Sequence, residues 1–142
     1  MTYEYEHSVE TTASPEAVWT LWSDVSRWTE WDTSLTAMRM DGPFEPGGTG
    51  VMTIEGQGDI DFRLTAVQPG VGFTDETELP IATLRFGHTM TPLDGGRLRV
   101  THTVSIEGPA ADELGPQVTE DVPDAMAGLV ALAERETASS PA

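Results

Sequence analysis

The chain has 142 residues, no cysteine, and 24 acidic residues against seven basic ones, all of them arginine, for a formal net charge of −17. A chain of this length builds one domain around one core, and the lack of cysteine excludes disulfides, thiolate chemistry and cysteine-ligated zinc. The absence of lysine excludes Schiff-base catalysis, and the negative charge repels phosphate backbones and anionic lipids, so we expect neither nucleic acid nor a membrane as a partner.

Alternation and capping residues predict a strand and two short helices at the start of the chain. Residues 3–11 place acidic side chains on one face of a strand, and the opposite face carries Tyr3, Tyr5, His7 and Val9. Ser14 is a helix cap followed by Pro15 in the first position, and Asp24 resembles the cap of a second short helix. All four tryptophans lie within residues 19–31. This block should form part of the core, because tryptophan buries a large apolar surface.

Six further strands are predicted between residues 33 and 107. Alternation and turn residues place them at Leu35–Met40, Val51–Glu55, 59–66, 73–79, 83–90 and 97–106. Asp94-Gly95-Gly96 is a tight hairpin signal between the last two strands. Links as short as these favour an antiparallel sheet.

The last segment is predicted to be helical and to cover one face of the sheet. Apolar residues recur at steps of three and four from Val118 to Ala133, as in an amphipathic helix. Pro123 interrupts this pattern and should either kink the helix or start its main part. We expect a single domain over residues 1–136 and a flexible tail over 137–142.

The order of elements resembles the START-like (SRPBCC, Bet v 1-like) superfamily over nearly the whole chain. The residues that carry the resemblance are Ser14-Pro15-Glu16, Val18-Trp19, Asp24, Trp28, Trp31 and the Glu107-Gly108 pair before the final helix. The bacterial polyketide cyclase/dehydrase-like branch is the most similar part of that superfamily. The resemblance implies an α+β helix-grip fold, in which a bent seven-stranded antiparallel sheet surrounds a long C-terminal helix. It also implies two short helices between strands 1 and 2, and a hydrophobic cavity between sheet and helix.

The three histidines of the chain each lie on the apolar phase of a predicted strand. If residues 94–96 form a three-residue loop, His88 falls directly opposite His102, and a slip by one residue would turn every apolar side chain outward. In the helix-grip order the first strand lies beside the last, so His7 should approach the same pair. We therefore take His7, His88 and His102 as the candidate catalytic residues.

Three interpretations of this histidine cluster stay open. The imidazoles could be buried, neutral and hydrogen-bonded to one another, to Tyr5 or to threonines. They could form the polar end of a ligand cavity and act as acid and base, since imidazole titrates near neutral pH. They could also hold a metal ion and leave one position open, as in catalytic zinc centres.

Asp75 is the other candidate polar group, because its strand phase points it inward between Phe73 and Thr77. A carboxylate that faces an apolar interior needs a partner. It could pair with Arg39 or stand at the mouth of the cavity, unless a strand bulge turns it outward. The alternative for Arg39 is a position on a solvated edge.

The predicted ligand-binding residues combine two polar groups with inward-facing apolar ones. The apolar ones are core if the interior is filled, and walls if it contains a cavity. The full set is Tyr5, Asp75, Phe62, Phe73, Phe86, Met90 and Met126.

We expect the chain to bind a small hydrophobic or aromatic molecule in this cavity. If it is an enzyme, the resemblance implies cyclisation or dehydration of a polyketide-like substrate, with histidine as general acid and base and no cofactor. The glycine-rich segments precede no helix, so they do not predict a nucleotide site. The alternative is a non-catalytic lipid or quinone carrier, or a partner-binding module like the chaperone-activator relatives. We expect a cytoplasmic location, because the chain has neither a signal pattern nor a span of about 20 apolar residues. For the oligomeric state we expect a monomer or a homodimer.

Overall fold

The computed structural model describes residues 2–139, and within this range seven antiparallel strands form one sheet in the order β1-β7-β6-β5-β4-β3-β2. From β2 to β7, strands that follow one another along the chain are neighbours in the sheet, whereas β1 pairs with β7 and so lies at the opposite edge from β2. The strands are β1 (Thr2–Thr11), β2 (Leu35–Met40), β3 (Thr49–Ile54), β4 (Gly58–Gln68), β5 (Gly72–Leu79), β6 (Ala82–Pro92) and β7 (Leu98–Glu107).

Two short helices join β1 to β2, and a short helix and a long one follow β7. They are α1 (Pro15–Ser23), α2 (Trp28–Trp31), α3 (Ala111–Thr119) and α4 (Val122–Ser139), with a 3₁₀ turn at Val25–Arg27. The predicted α+β fold class is confirmed. The part of the chain that is described has no helix long and apolar enough to cross a bilayer.

The caps predicted between β1 and β2 are confirmed. The Ser14 hydroxyl accepts a hydrogen bond of 3.1 Å from the Ala17 amide, with Pro15 as the first helical residue. The Asp24 carboxylate accepts a bond of 3.2 Å from the Ser26 amide and starts the 3₁₀ turn. Each cap satisfies a backbone N–H that the first helical turn leaves without a partner.

The long C-terminal helix is divided into α3 and α4. Pro123 is the second residue of α4, so it starts the main part of the helix, where its missing N–H costs no helical bond. The predicted tail begins inside α4, because the helix continues to Ser139 and the Thr137 hydroxyl accepts from the Ser14 amide at 2.9 Å. The rest of that tail, residues 140–142, lies outside the described residues.

The tryptophan block fills the space between the sheet and α4. Trp22 is fully buried, and its carbonyl accepts a hydrogen bond of 2.9 Å from the Trp28 indole. A Cβ at Gly128 of α4 would lie 2.6 Å from the Trp31 carbonyl oxygen. The backbone of α4 can therefore approach α2 closely only with glycine at this position.

Candidate functional site

A cavity of about 250 Å³ lies between the sheet and helices α2, α3 and α4. Its walls are mostly apolar and come from strands and helices alike, including Trp31, Leu84, Phe86, Leu114, Val118 and Val122. Polar side chains are gathered mainly at two places. One is a deep group on the central strands and α2, and the other is a rim near the junction of α3 and α4.

Strand register brings the three histidines to one region, as the hairpin predicted for His88 and His102 and the helix-grip strand order for His7. His102 of β7 lies opposite both His88 of β6 and His7 of β1. The Leu93 amide donates to the Arg97 carbonyl at 2.8 Å, which closes the predicted loop. The rings of His88 and His102 are 4.6 Å apart between centroids, and both line the cavity. His7 is half-buried and does not line it.

His88 is buried and neutral at pH 7. Burial lowers its pKa to about 3, and this outweighs the upward effect of its bond to the Phe73 carbonyl. That bond joins Nδ1 to the carbonyl oxygen at 3.4 Å, and the ring stacks on the Phe73 ring at 3.9 Å. Because a carbonyl can only accept, the proton is on Nδ1 and Nε2 keeps a free lone pair.

His102 lies in a similar environment. Burial lowers its pKa well below the usual value, and the neighbouring His88 and His7 lower it further. Its Nε2 atom is buried and has no hydrogen-bond partner within residues 2–139. Trp22 and Trp31 flank the ring, with centroids 5.9 Å and 6.2 Å away. The tryptophan block therefore encloses the histidines.

Asp75 faces the cavity and is 3% exposed. Burial raises its pKa to about 8, so the carboxyl holds its proton at neutral pH. Its Oδ2 atom is 4.0 Å from Nδ1 of His88. The proposed pair with Arg39 was wrong, since Arg39 is exposed and bonds to Asp41 at 3.1 Å.

The bulge that we considered for Asp75 lies in the opposite strand. The register shifts in β4 between Leu64 and Ala66, next to the Leu64–Asp75 pair, while β5 pairs with β6 without a shift. The bulge therefore bends β4 and leaves Asp75 pointing inward.

Two further polar groups of the cavity were missed by sequence reasoning. The Trp31 indole nitrogen and the Thr77 hydroxyl are buried without a hydrogen-bond partner in the described part of the chain. Thr77 shares the inward phase of Asp75, two positions along β5, which is the signal that could have identified it. Trp31 gave no comparable signal, because a tryptophan in a helix is normally read as core.

Several residues predicted to bind the ligand do not line this cavity. Phe86 lines it, whereas Tyr5 packs against a smaller core cluster around β6, β7 and α3. The others are packed in the main core and do not line this cavity: Phe62, Phe73, Met90 and Met126.

The rim of the cavity carries acidic and amide groups. Asp32 accepts from the Ser34 amide at 3.0 Å and from its hydroxyl at 2.6 Å. Burial raises the pKa of Asp32, and the nearby Asp121 adds to the rise. Gln57 and Gln117 complete the rim. No arginine is among the residues described as lining the cavity.

A second concavity of about 470 Å³ is formed by charged residues of β4 and β5. Its carboxylates include Glu76, which is held by Arg63 at 3.1 Å and by Arg85 at 2.8 Å. These two ion pairs neutralise Glu76, and the remaining carboxylates of the concavity include Asp61 and Glu78. Over the described residues, no cluster of three or more histidine, aspartate or glutamate side chains is arranged to hold a metal ion.

A family model described as polyketide cyclase / dehydrase and lipid transport matches residues 2–134 of the chain. No curated protein sequence matches the chain significantly.

Solved structures share the fold over nearly the full length of both chains. Ara h 8.0201 is 14% identical, with a TM-score of 0.73 and coverage of 99% of this chain and 100% of that one. A Thermobifida fusca protein solved by solution NMR is 25% identical, with a TM-score of 0.72 and coverage of 93% and 91%. A point mutant of norcoclaurine synthase from Thalictrum flavum, in complex with a transition state analogue, is 12% identical, with a TM-score of 0.76 and coverage of 96% of each chain.

Asp75→Asn should flatten the dependence of stability on pH between about 6.5 and 8.5. The pKa of Asp75 is about 8 in the folded chain, against 3.8 for an unperturbed aspartate. Its contribution to the free energy of unfolding is therefore complete below about pH 4 and is lost as the pH rises through 8. The wild type should lose at most about 1.4 kcal/mol per pH unit from this group, and the neutral, isosteric asparagine should lose none.

Urea unfolding of the wild type, Asp75→Asn and Asp61→Asn measures this slope. Asp61 is exposed on the same sheet, so its variant should follow the wild type. The depressed pKa values of the buried histidines lower stability as the pH falls below about 7.5, and they do so equally in all three proteins, so the difference between the slopes reports Asp75 alone. Equal slopes in all three proteins would contradict a neutral, buried Asp75.

Proposed function

The chain belongs to the polyketide cyclase / dehydrase and lipid transport family, and we propose that its cavity binds one small hydrophobic molecule. The observation that carries this proposal is the cavity itself. Among the mostly apolar residues that line it, Trp31, Thr77 and His102 each carry a buried polar atom that has no hydrogen-bond partner within residues 2–139. Ligand sites typically combine a mostly apolar lining with a few placed polar groups.

The volume of the cavity limits the size of the molecule. An apolar cavity of about 150 Å³ accommodates a benzene ring. A volume of about 250 Å³ therefore suits one substituted ring or two fused rings. A long-chain lipid would need a larger space, so we favour a compact ring system over a fatty acyl chain.

Acid and base chemistry at the deep polar group is a second candidate function, favoured by the position of Asp75 beside His88. A carboxyl with a pKa of about 8 is a competent proton donor at neutral pH. Once Asp75 loses its proton, its negative charge 4.0 Å from His88 favours the imidazolium form. The pair can therefore give a proton at one atom of a ligand and accept one at another.

Such a pair could dehydrate a β-hydroxy ketone. Nε2 of His88 would take the proton from the carbon between the two oxygenated carbons, as a carbon–carbon double bond forms. The carbon–oxygen bond of the hydroxyl breaks, and Asp75 protonates the departing oxygen, which leaves as water. The imidazolium would then lose its Nε2 proton through water and the Asp75 carboxylate would regain one, which restores the Nδ1–H imidazole and the neutral carboxyl. The products are an enone and water, and the step involves no oxidation or reduction.

A non-catalytic carrier or partner-binding module is the alternative to this chemistry, and it needs only the apolar cavity. The net charge of −17 supports a small molecule as the partner over nucleic acid or a membrane surface. A cytoplasmic location and a monomeric or homodimeric state are parts of the same proposal.

Ala125→Phe should abolish binding of a two-ring probe. Ala125 is on the buried face of α4 and lines the cavity, so a phenyl group there occupies the space of the ligand. We expect the affinity for 1-tetralone, measured by titration calorimetry, to fall by more than about tenfold. Ala127→Phe places the same group on the exposed face of α4 and should bind like the wild type. Equal binding by both variants would exclude the cavity as the site.

Exchange of the hydrogens beside the ketone of 1-tetralone, followed by NMR in D₂O, tests the second candidate function. The wild type should accelerate exchange over buffer, and Asp75→Asn or His88→Gln should reduce the acceleration at least about 100-fold, as expected for loss of a general acid or base. His7→Gln is the control, because His7 does not line the cavity. A wild-type rate equal to that of buffer would contradict proton transfer and leave the carrier function.

A further inference from the structure

We propose that the cavity selects an uncharged ligand that presents a carbonyl or hydroxyl oxygen to Trp31 and Thr77, and that it rejects carboxylates, phosphates and ammonium groups. This inference rests on the proposed function, because it names the chemical class of the molecule that the cavity would bind.

An unpaired donor is the first observation. The Trp31 side chain lines the cavity, and its indole nitrogen is buried and has no partner in the described chain. An indole N–H can only donate. Water can satisfy it while the cavity is free of ligand. A ligand that displaces this water must offer an acceptor, or the buried N–H is left unsatisfied at a cost.

The neighbouring polar groups, Thr77 and Asp75, also need an acceptor on the ligand. The Thr77 hydroxyl is also buried without a partner among residues 2–139, and it can donate or accept. Asp75 holds its proton at neutral pH, so it too can donate. These groups face the cavity from α2 and β5. A hydroxyl or carbonyl oxygen on a ring matches this arrangement, whereas a pure hydrocarbon leaves these donors without an acceptor.

Anions are excluded by the charge around the cavity. No arginine is found among its described lining residues, and the chain has no lysine. Asp32 and Asp121 stand at the rim, and the net charge of the chain is −17. A carboxylate or phosphate would enter against this field and would find no cationic partner inside.

Cations are disfavoured by a different cause. The acidic rim attracts them, but the deep group is neutral, since His88 and His102 are uncharged and Asp75 is protonated at pH 7. An ammonium would have to ionise Asp75 in a site where burial opposes the charge. We therefore expect the cavity to prefer neutral ligands. Because the acidic rim attracts cations, a cationic probe is the most demanding test of this preference.

Titration calorimetry at pH 7 with four probes on one carbon skeleton tests the proposal. The probes are tetralin, 1-tetralone, 1,2,3,4-tetrahydro-2-naphthoate and 2-aminotetralin. We expect 1-tetralone to bind about three- to tenfold more tightly than tetralin, as one or two buried hydrogen bonds allow. The carboxylate and the ammonium should bind at least about tenfold more weakly than 1-tetralone.

Thr77→Val removes the hydroxyl with almost no change of shape. It should lower the affinity for 1-tetralone by about three- to tenfold and leave that for tetralin unchanged. Thr83→Val is the control, because Thr83 lies on β6 beside Leu84, on the opposite phase, and does not line the cavity. Circular dichroism establishes that both variants are folded.

The outcomes separate the two proposals. Equal or tighter binding of the carboxylate or the ammonium, or equal binding of tetralin and 1-tetralone, would overturn the selectivity while the binding function stands. Failure of all four probes to bind would overturn both.

Discussion

Antiparallel pairing of β1, β7 and β6 in one fixed register is the constraint on which the site depends. This register places His102 between His7 and His88 and turns the apolar phase of each strand toward the helices. Side chains alternate between the two faces with a period of two, so a slip by one residue would expose Val100, Val104 and Ile106. The cost of that exposure fixes the register, and the register fixes the polar end of the cavity.

The tryptophan block sets the environment of this polar end. Trp22 packs against both buried histidines and Trp28 packs against His88, while Trp31 lines the cavity from α2. The same packing that stabilises the fold removes water from His88, His102 and Asp75. Desolvation of these groups keeps the imidazoles neutral and the carboxyl protonated. Stability and binding chemistry therefore come from the same contacts.

Alternation and turn residues predicted the strands, the caps at Ser14 and Asp24, and the His88–His102 pair, because these depend on local pattern and one short loop. Alternation assigns a side chain to a face, but it does not tell how deeply the other layer covers that face. This is why Phe62, Phe73, Met90 and Met126 were predicted as walls and are packed in the core. The unpaired groups of Trp31 and Thr77 depend on the placement of α2 over the sheet, and the Arg39–Asp75 pair failed because Arg39 lies on an exposed edge.

The central claim is that a neutral oxygen-bearing molecule binds at the deep polar end of the cavity. The indole N–H signals in a ¹H–¹⁵N NMR spectrum test it directly, since each of the four tryptophans gives one signal and Trp31→Phe identifies that of Trp31. On addition of 1-tetralone, the Trp31 signal should move downfield as its N–H gains an acceptor, while the Trp28 N–H stays bonded to the Trp22 carbonyl. A Trp31 signal that is unchanged at saturating 1-tetralone would contradict the account.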